Sequence, residues 1–202
     1  VWHPYEEVER LRLLLAEEDA AGAARLADEL EETCGGSMRN DPYIWSYIGR
    51  VRYREGKKDE AYAVWTRVLN DYPDYYQAKT GAVSCLMEKG RYWQAREWMM
   101  EILELDGRDE EILSRLKEAN EALITRLQEN PEYHEEGKDI PAGEGAIELA
   151  WCLFQNERLD ETIRYLENYT PEEGQEYSYT NLFGRVLYQA ERYQEARPYL
   201  EE

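Results

Sequence analysis

The sequence predicts an all-α fold, a solenoid of helical hairpins. Three observations lead there. A short segment recurs at one fixed distance in two separate places. Small and large apolar residues keep the same phase around each recurrence. Glycines and prolines punctuate the pattern where hairpins would turn and helices would stop.

The recurrence comes first. Gly56-Lys57-Lys58-Asp59-Glu60-Ala61 returns as Gly90-Arg91-Tyr92-Trp93-Gln94-Ala95, an offset of 95 − 61 = 34. Glu157-Arg158-Leu159-Asp160-Glu161-Thr162 returns as Glu191-Arg192-Tyr193-Gln194-Glu195-Ala196, and 196 − 162 is again 34. From Pro42 the chain places Trp45, Ile48-Gly49, Tyr53, Gly56, Ala61, Trp65, Leu69 and Pro73 in order. The next unit has Leu86, Gly90, Tyr92, Ala95, Met99, Ile102 and Leu103, with Lys79 and Ala82-Val83 at its leading slots. Leu149-Ala150, Leu153, Leu159, Leu166 and Tyr169 mark a third unit, and Phe183-Gly184, Leu187, Tyr193, Ala196 and Leu200 a fourth.

These slots resemble the tetratricopeptide repeat, whose period is 34 residues. The resemblance covers 42–108 and 143–202; the first unit's tyrosine falls a residue late, and the next unit lacks the leading Trp and the Leu-Gly pair. It implies two antiparallel helices per unit, stacked so that neighbours bury what one unit cannot. Gly49, Ala61, Ala95, Gly184 and Ala196 would let helices approach closely. Gly56 and Gly90 suit tight turns. Trp65, Met99 and Leu166 would fill the seams, and Pro73 would stop its helix.

Two stretches fit less well. Residues 4–33 read as a divergent hairpin, with Leu11, Leu14 and Leu15 facing Ala23, Ala27 and Leu30 across a turn near Asp19–Gly22, then a loop over 34–40. Residues 109–130 read as one irregular long helix, with Ile112, Leu113, Leu116, Ala119, Leu123, Ile124 and Leu127 at helical spacing. Pro131 closes it, and a polar linker or hinge follows over 131–145. The expected organisation is repeats plus the long helix over 1–130, the linker, and a repeat pair over 146–202, with one continuous solenoid as the alternative.

Composition narrows the function. The 202 residues carry 24 Lys and Arg against 44 Asp and Glu, a net charge of −20. Phosphate backbones need a basic face, so nucleic acid is not an expected partner. Anionic membrane is disfavoured for the same reason, and a basic protein partner would be steered in. No apolar run reaches membrane-spanning length and none reads as a signal, so membrane insertion is not expected and a cytoplasmic setting is. Val1 at the start and a helical pattern that runs into Glu202 lead us to expect a piece of a longer protein. Cys34, Cys85 and Cys152 lack metal or disulfide spacing and read as reduced structural thiols.

Chemistry is sparse. His3 and His134 lie far from any cysteine in the repeat reading, so no nucleophilic triad is expected. No phosphate loop, metal motif or cofactor motif appears. Asp106–Glu110 resembles a calcium loop weakly, and a turn between helices explains it better. We therefore expect no catalytic, metal or cofactor residues.

The resemblance instead implies a groove lined by the first helix of each unit. Carried onto this chain, its slots hold Tyr43, Ser46, Arg50 and Tyr53, then Gln77, Thr80, Ser84 and Met87. Glu111, Ser114, Arg115 and Glu118 follow, then Glu144, Ile147, Trp151 and Phe154, and last Ser178, Asn181, Arg185 and Tyr188. The binding candidates are Tyr43, Arg50, Tyr53, Gln77, Met87, Arg115, Trp151, Phe154, Asn181, Arg185 and Tyr188, rich in the aromatic and arginine residues of binding hot spots. Some family members clamp a terminal carboxylate with Lys and Asn. Here those slots hold Ser46, Arg50, Gly81, Glu111 and Arg115, which argues against that clamp. The expected function is a non-catalytic scaffold for a protein or peptide. The alternatives are a co-chaperone or regulatory module fused to another domain, such as a J domain, and a self-association module.

Overall fold

A computed structural model describes residues 3–35 and 41–200. Among them lie eleven helices and one small hairpin of strands. The chain divides into two compact bodies, Val1–Gly90 with Glu97–Gly107, and Arg91–Arg96 with Arg108–Glu202.

The first body begins with α1 (Pro4–Ala16) and α2 (Ala20–Cys34), the expected divergent hairpin. Its turn is tighter than expected. Glu18 takes a left-handed φ of 59°, and Asp19 caps α2 by accepting from the Gly22 amide at 2.9 Å. Cys34 belongs to α2, and residues 36–40 of the expected loop lie outside the described residues. Next come α3 (Pro42–Arg54), α4 (Lys58–Asp71), α5 (Tyr76–Glu88) and α6 (Tyr92–Leu105), whose first turn belongs to the second body. Asp41 caps α3 through the amides of Tyr43 and Ile44. Gly56 and Gly90 turn the chain at φ 79° and 70°, where a side chain would be strained.

The seam of this body is one side chain. Trp65 on α4 is buried between Gly49 of α3 and Gly81 of α5. A Cβ at either glycine would stand 2.5 or 2.4 Å from the indole. Arg52 on α3 is buried as well and held by Asp28 (2.6 Å), Glu31 (2.6 Å) and Glu55 (2.9 Å), so α3 is tied to α2 by charge as well as by packing. Lys79, also buried, pairs with Glu101 at 2.8 Å.

The second body holds α7 (Glu110–Glu129), α8 (Ala142–Gln155), α9 (Leu159–Glu167), α10 (Glu176–Gln189) and α11 (Tyr193–Leu200). The long helix is α7, capped by Asp109. Its inward stripe differs in two places from the apolar pattern: Leu113 is exposed, and Asn120 is buried in its stead. The turns after α8 and α10 have no glycine. Glu157 and Glu191 take the left-handed conformation instead, at φ 62° and 60°.

Where a polar linker was expected over 131–145, the structure has an antiparallel hairpin and the start of α8. β1 (Tyr133–Glu135) pairs with β2 (Lys138–Ile140), Tyr133 opposite Ile140, and Gly137 turns at φ 82°. Tyr133 and Ile140 point into a core with Trp93, Leu127 and Leu149. Glu135 reaches the start of α6, accepting from the amides of Trp93 (3.1 Å) and Gln94 (2.9 Å). The hairpin thus supplies the cap that α6 lacks in its own sequence.

Gly145 shows how closely α8 starts against the end of α7. A Cβ there would lie 1.8 Å from the Pro131 carbonyl oxygen, which is backbone and cannot swing away. Alanine favours a helix over glycine by about 1 kcal/mol. The clash costs about 1–3 kcal/mol, so it wins. Gly145→Ala is therefore expected to lower the melting temperature of the second body; a variant that melts with or above the parent would contradict this contact.

Candidate protein-binding faces

Of the expected residues on α3, Tyr43, Arg50 and Tyr53 lie in one stripe, whereas Ser46 is buried. Tyr43, Tyr47, Arg50 and Tyr53 follow helical spacing, opposite the buried Ile44, Ile48 and Val51. Tyr43 meets Tyr47 edge-on at 5.2 Å, and the Arg50 guanidinium lies 5.6 Å from the Tyr47 ring. Tyrosine hydroxyls then link neighbouring first helices. Tyr43 donates to Glu9 on α1, and Tyr53 to Glu88 on α5. Tyr5 on α1 donates to Asp41 at 2.8 Å. The partners lie 34, 35 and 36 residues apart, about one repeat each time. The Glu9 contact, with burial second, pushes the Tyr43 hydroxyl up to about 12. The Tyr43 phenol therefore stays a neutral donor at physiological pH.

Gln77 stands exposed on α5, and Met87 is half-buried. Arg115 on α7 pairs with Glu111 one turn back at 2.8 Å, and Asn181 is half-buried on α10.

The second body gathers four expected residues in one place. Trp151 and Phe154 of α8 meet edge-on at 6.0 Å, both half-buried. Arg185 of α10 lies over both rings, 5.4 and 6.0 Å from their centroids. Tyr188, 59% exposed, stands one turn further and meets Tyr193 at 5.3 Å. Phe154, Arg185, Tyr188, Gln189 and Leu200 line an open cleft of about 440 Å³.

The sequence reading missed Tyr5, Glu9, Tyr47, Asp41 and Glu88 in the first face, and Gln189, Tyr193 and Leu200 in the second. Tyr47 carries a usable signal, four residues after Tyr43 and three before Arg50. The tyrosine–carboxylate links needed a search at one-repeat offsets.

Burial pushes the Cys85 thiol up to about 11 and Cys152 up to about 12, the opposite of an activated nucleophile. His134 sits exposed on β1 across from Asp139 at 2.8 Å, a contact that raises its pKa. No group of three or more His, Cys, Asp or Glu is placed to hold a metal among the described residues. No helix among them is long and apolar enough to cross a membrane.

Comparison with known proteins agrees with the repeat pattern. A tetratricopeptide-repeat family profile matches residues 52–119, from the end of α3 into α7. A tetratricopeptide repeat protein from Parabacteroides merdae superposes at TM-score 0.50, 14% identical, over 98% of this chain and 77% of its own. A MamA structure from Desulfovibrio magneticus RS-1 gives TM-score 0.43 at 13% identity, over 98% of this chain and 91% of its own. No curated protein matches the sequence. The matched segment, about a third of the chain, carries the tetratricopeptide pattern, and the helical-hairpin fold is shared with the Parabacteroides merdae structure.

Proposed function

We propose that the chain is a non-catalytic scaffold that holds a segment of another protein against the exposed faces of its first helices. The observation that carries this reading is the pairing of aromatic rings with arginines on those faces. Tyr43, Tyr47 and Arg50 do so on α3, and Trp151, Phe154, Arg185 and Tyr188 on α8 and α10. Aromatic and arginine side chains supply most binding energy in protein interfaces. They sit on rigid helices, so little ordering entropy is lost on contact. The net charge of −20 favours a partner that is basic overall, drawn in by a field that salt weakens. A cytoplasmic setting fits three buried thiols.

The double variant Arg50→Glu/Tyr53→Ala tests the first face. Removing one hot-spot residue costs about 2 kcal/mol or more, so binding of a captured protein should weaken at least about tenfold. The melting temperature of each protein is measured alongside, because Tyr53 touches Trp65 at 5.9 Å. A folded variant that binds its protein ligand as the parent does would remove this face from the proposal.

A further inference from the structure

A short sequence recurs at equivalent places in the two bodies. Ile48-Gly49-Arg50-Val51-Arg52-Tyr53 on α3 matches Phe183-Gly184-Arg185-Val186-Leu187-Tyr188 on α10. The offset is 185 − 50 = 135, one short of four 34-residue periods. The glycine before each arginine is pressed against a bulky neighbour, Trp65 in one case and Leu200 in the other. The valine after each is buried. The arginine between them is therefore turned outward by its own neighbours, and its guanidinium rests on aromatic rings.

Neither guanidinium has an ion-pair partner among the described residues, although the chain holds 44 carboxylates to 24 Lys and Arg. A guanidinium held over aromatic rings without an ion-pair partner keeps N–H donors available for a two-point contact with a carboxylate. Arg185 is the better developed of the two. It has two rings beneath it, a cleft of about 440 Å³ beside it, and apolar walls in Phe154 and Leu200. At the Arg50 face the neighbouring Tyr53 hydroxyl is already engaged by Glu88.

We propose that the Arg185 cleft takes the side-chain carboxylate of an Asp or Glu within a protein segment, with a large apolar residue next to it seated against Phe154, Tyr188 and Leu200. The proposal rests on the scaffold reading and names the anchor chemistry of one face. It is compatible with a partner that is basic overall. Attraction to the whole chain acts at long range and is screened beyond about 10 Å at 0.1 M salt, whereas the anchor is a contact.

The test is selection of a random dodecapeptide library, displayed with no free carboxyl terminus, on the folded chain. Enriched peptides should share an acidic residue beside Leu, Ile, Phe or Trp. A synthetic enriched peptide should bind the parent at least about tenfold more tightly than its copy in which the acid is replaced by the amide. Arg185→Met, an exposed position, should abolish that difference. Enriched peptides without a common acidic position, or an acid–amide pair that binds equally, would overturn the anchor and leave the scaffold reading standing. An acid preference that survives Arg185→Met would move the anchor elsewhere and overturn it likewise. No enrichment on the parent would overturn both. The acid–amide comparison on the parent stands even if the variant folds poorly.

Discussion

Trp65→Ala is expected to lower the stability of the first body by about 3–5 kcal/mol, the range for truncating a buried large aromatic. Three features push it to the upper part of that range. The indole is 3% exposed, and its Nε1 donates to the Ser46 carbonyl at 3.1 Å, so the variant also loses a buried hydrogen bond. The walls above and below the ring are Gly49 and Gly81, which have no side chain to fall into the gap. The backbones of α3, α4 and α5 would have to move to close it, and close packing elsewhere resists that. Urea unfolding followed by circular dichroism reads the loss as a lower midpoint with an unchanged slope. A loss under about 1.5 kcal/mol would mean that the seam collapses freely.

A comparable loss, about 3–5 kcal/mol, is expected for Arg96→Ala in the second body, where the cause is charge rather than volume. Arg96 is buried at the start of α6 and organises polar groups from two other helices. Its Nε donates to Asn120 of α7 at 2.9 Å and its Nη2 to Gln155 of α8 at 3.0 Å, while Nη1 pairs with Glu148. Asn120, fully buried, donates onward to Asn156 at 3.0 Å. Removing the guanidinium leaves a half-buried carboxylate and two amides without their shared donor. Arg96→Met/Glu148→Leu should recover part of the loss, because taking out both charges avoids a buried unpaired one. Chemical unfolding of the three proteins checks this. A double variant no better than Arg96→Ala would show that the ion pair is not what holds the network.

The division between what the sequence announced and what it hid follows from range. The repeat period, α3 to α6 and α8 to α11 were legible because each unit repeats one packing problem and solves it with similar residues. Trp65 was readable as a seam residue; that two glycines clasp it required knowing that Gly81, and not only Gly49, faces it. The hairpin at 133–140 was hidden because three-residue strands leave too short an alternation, and its Gly and Pro read as loop. The turns at Glu18, Glu157 and Glu191 were hidden because nothing in a glutamate marks a left-handed backbone. Nothing local marks Asn120 as buried, since its partner Arg96 lies 24 residues away. On the faces, the arginines and tyrosines were placed by repeat slot. Their mutual contacts depend on rotamers and neighbouring helices that slots do not encode.

The proposed scaffold holds its partner segment on the first helices, while Trp65 of α4 and Leu166 of α9 stay buried in the packing. Amide hydrogen exchange on the chain, alone and with a peptide selected from the random library, tests it most directly. The expected result is slowed exchange and altered solvent protection in α8 and α10 or in α3 and α5, with α4 and α9 unchanged. Protection confined to α4 and α9 would contradict the account.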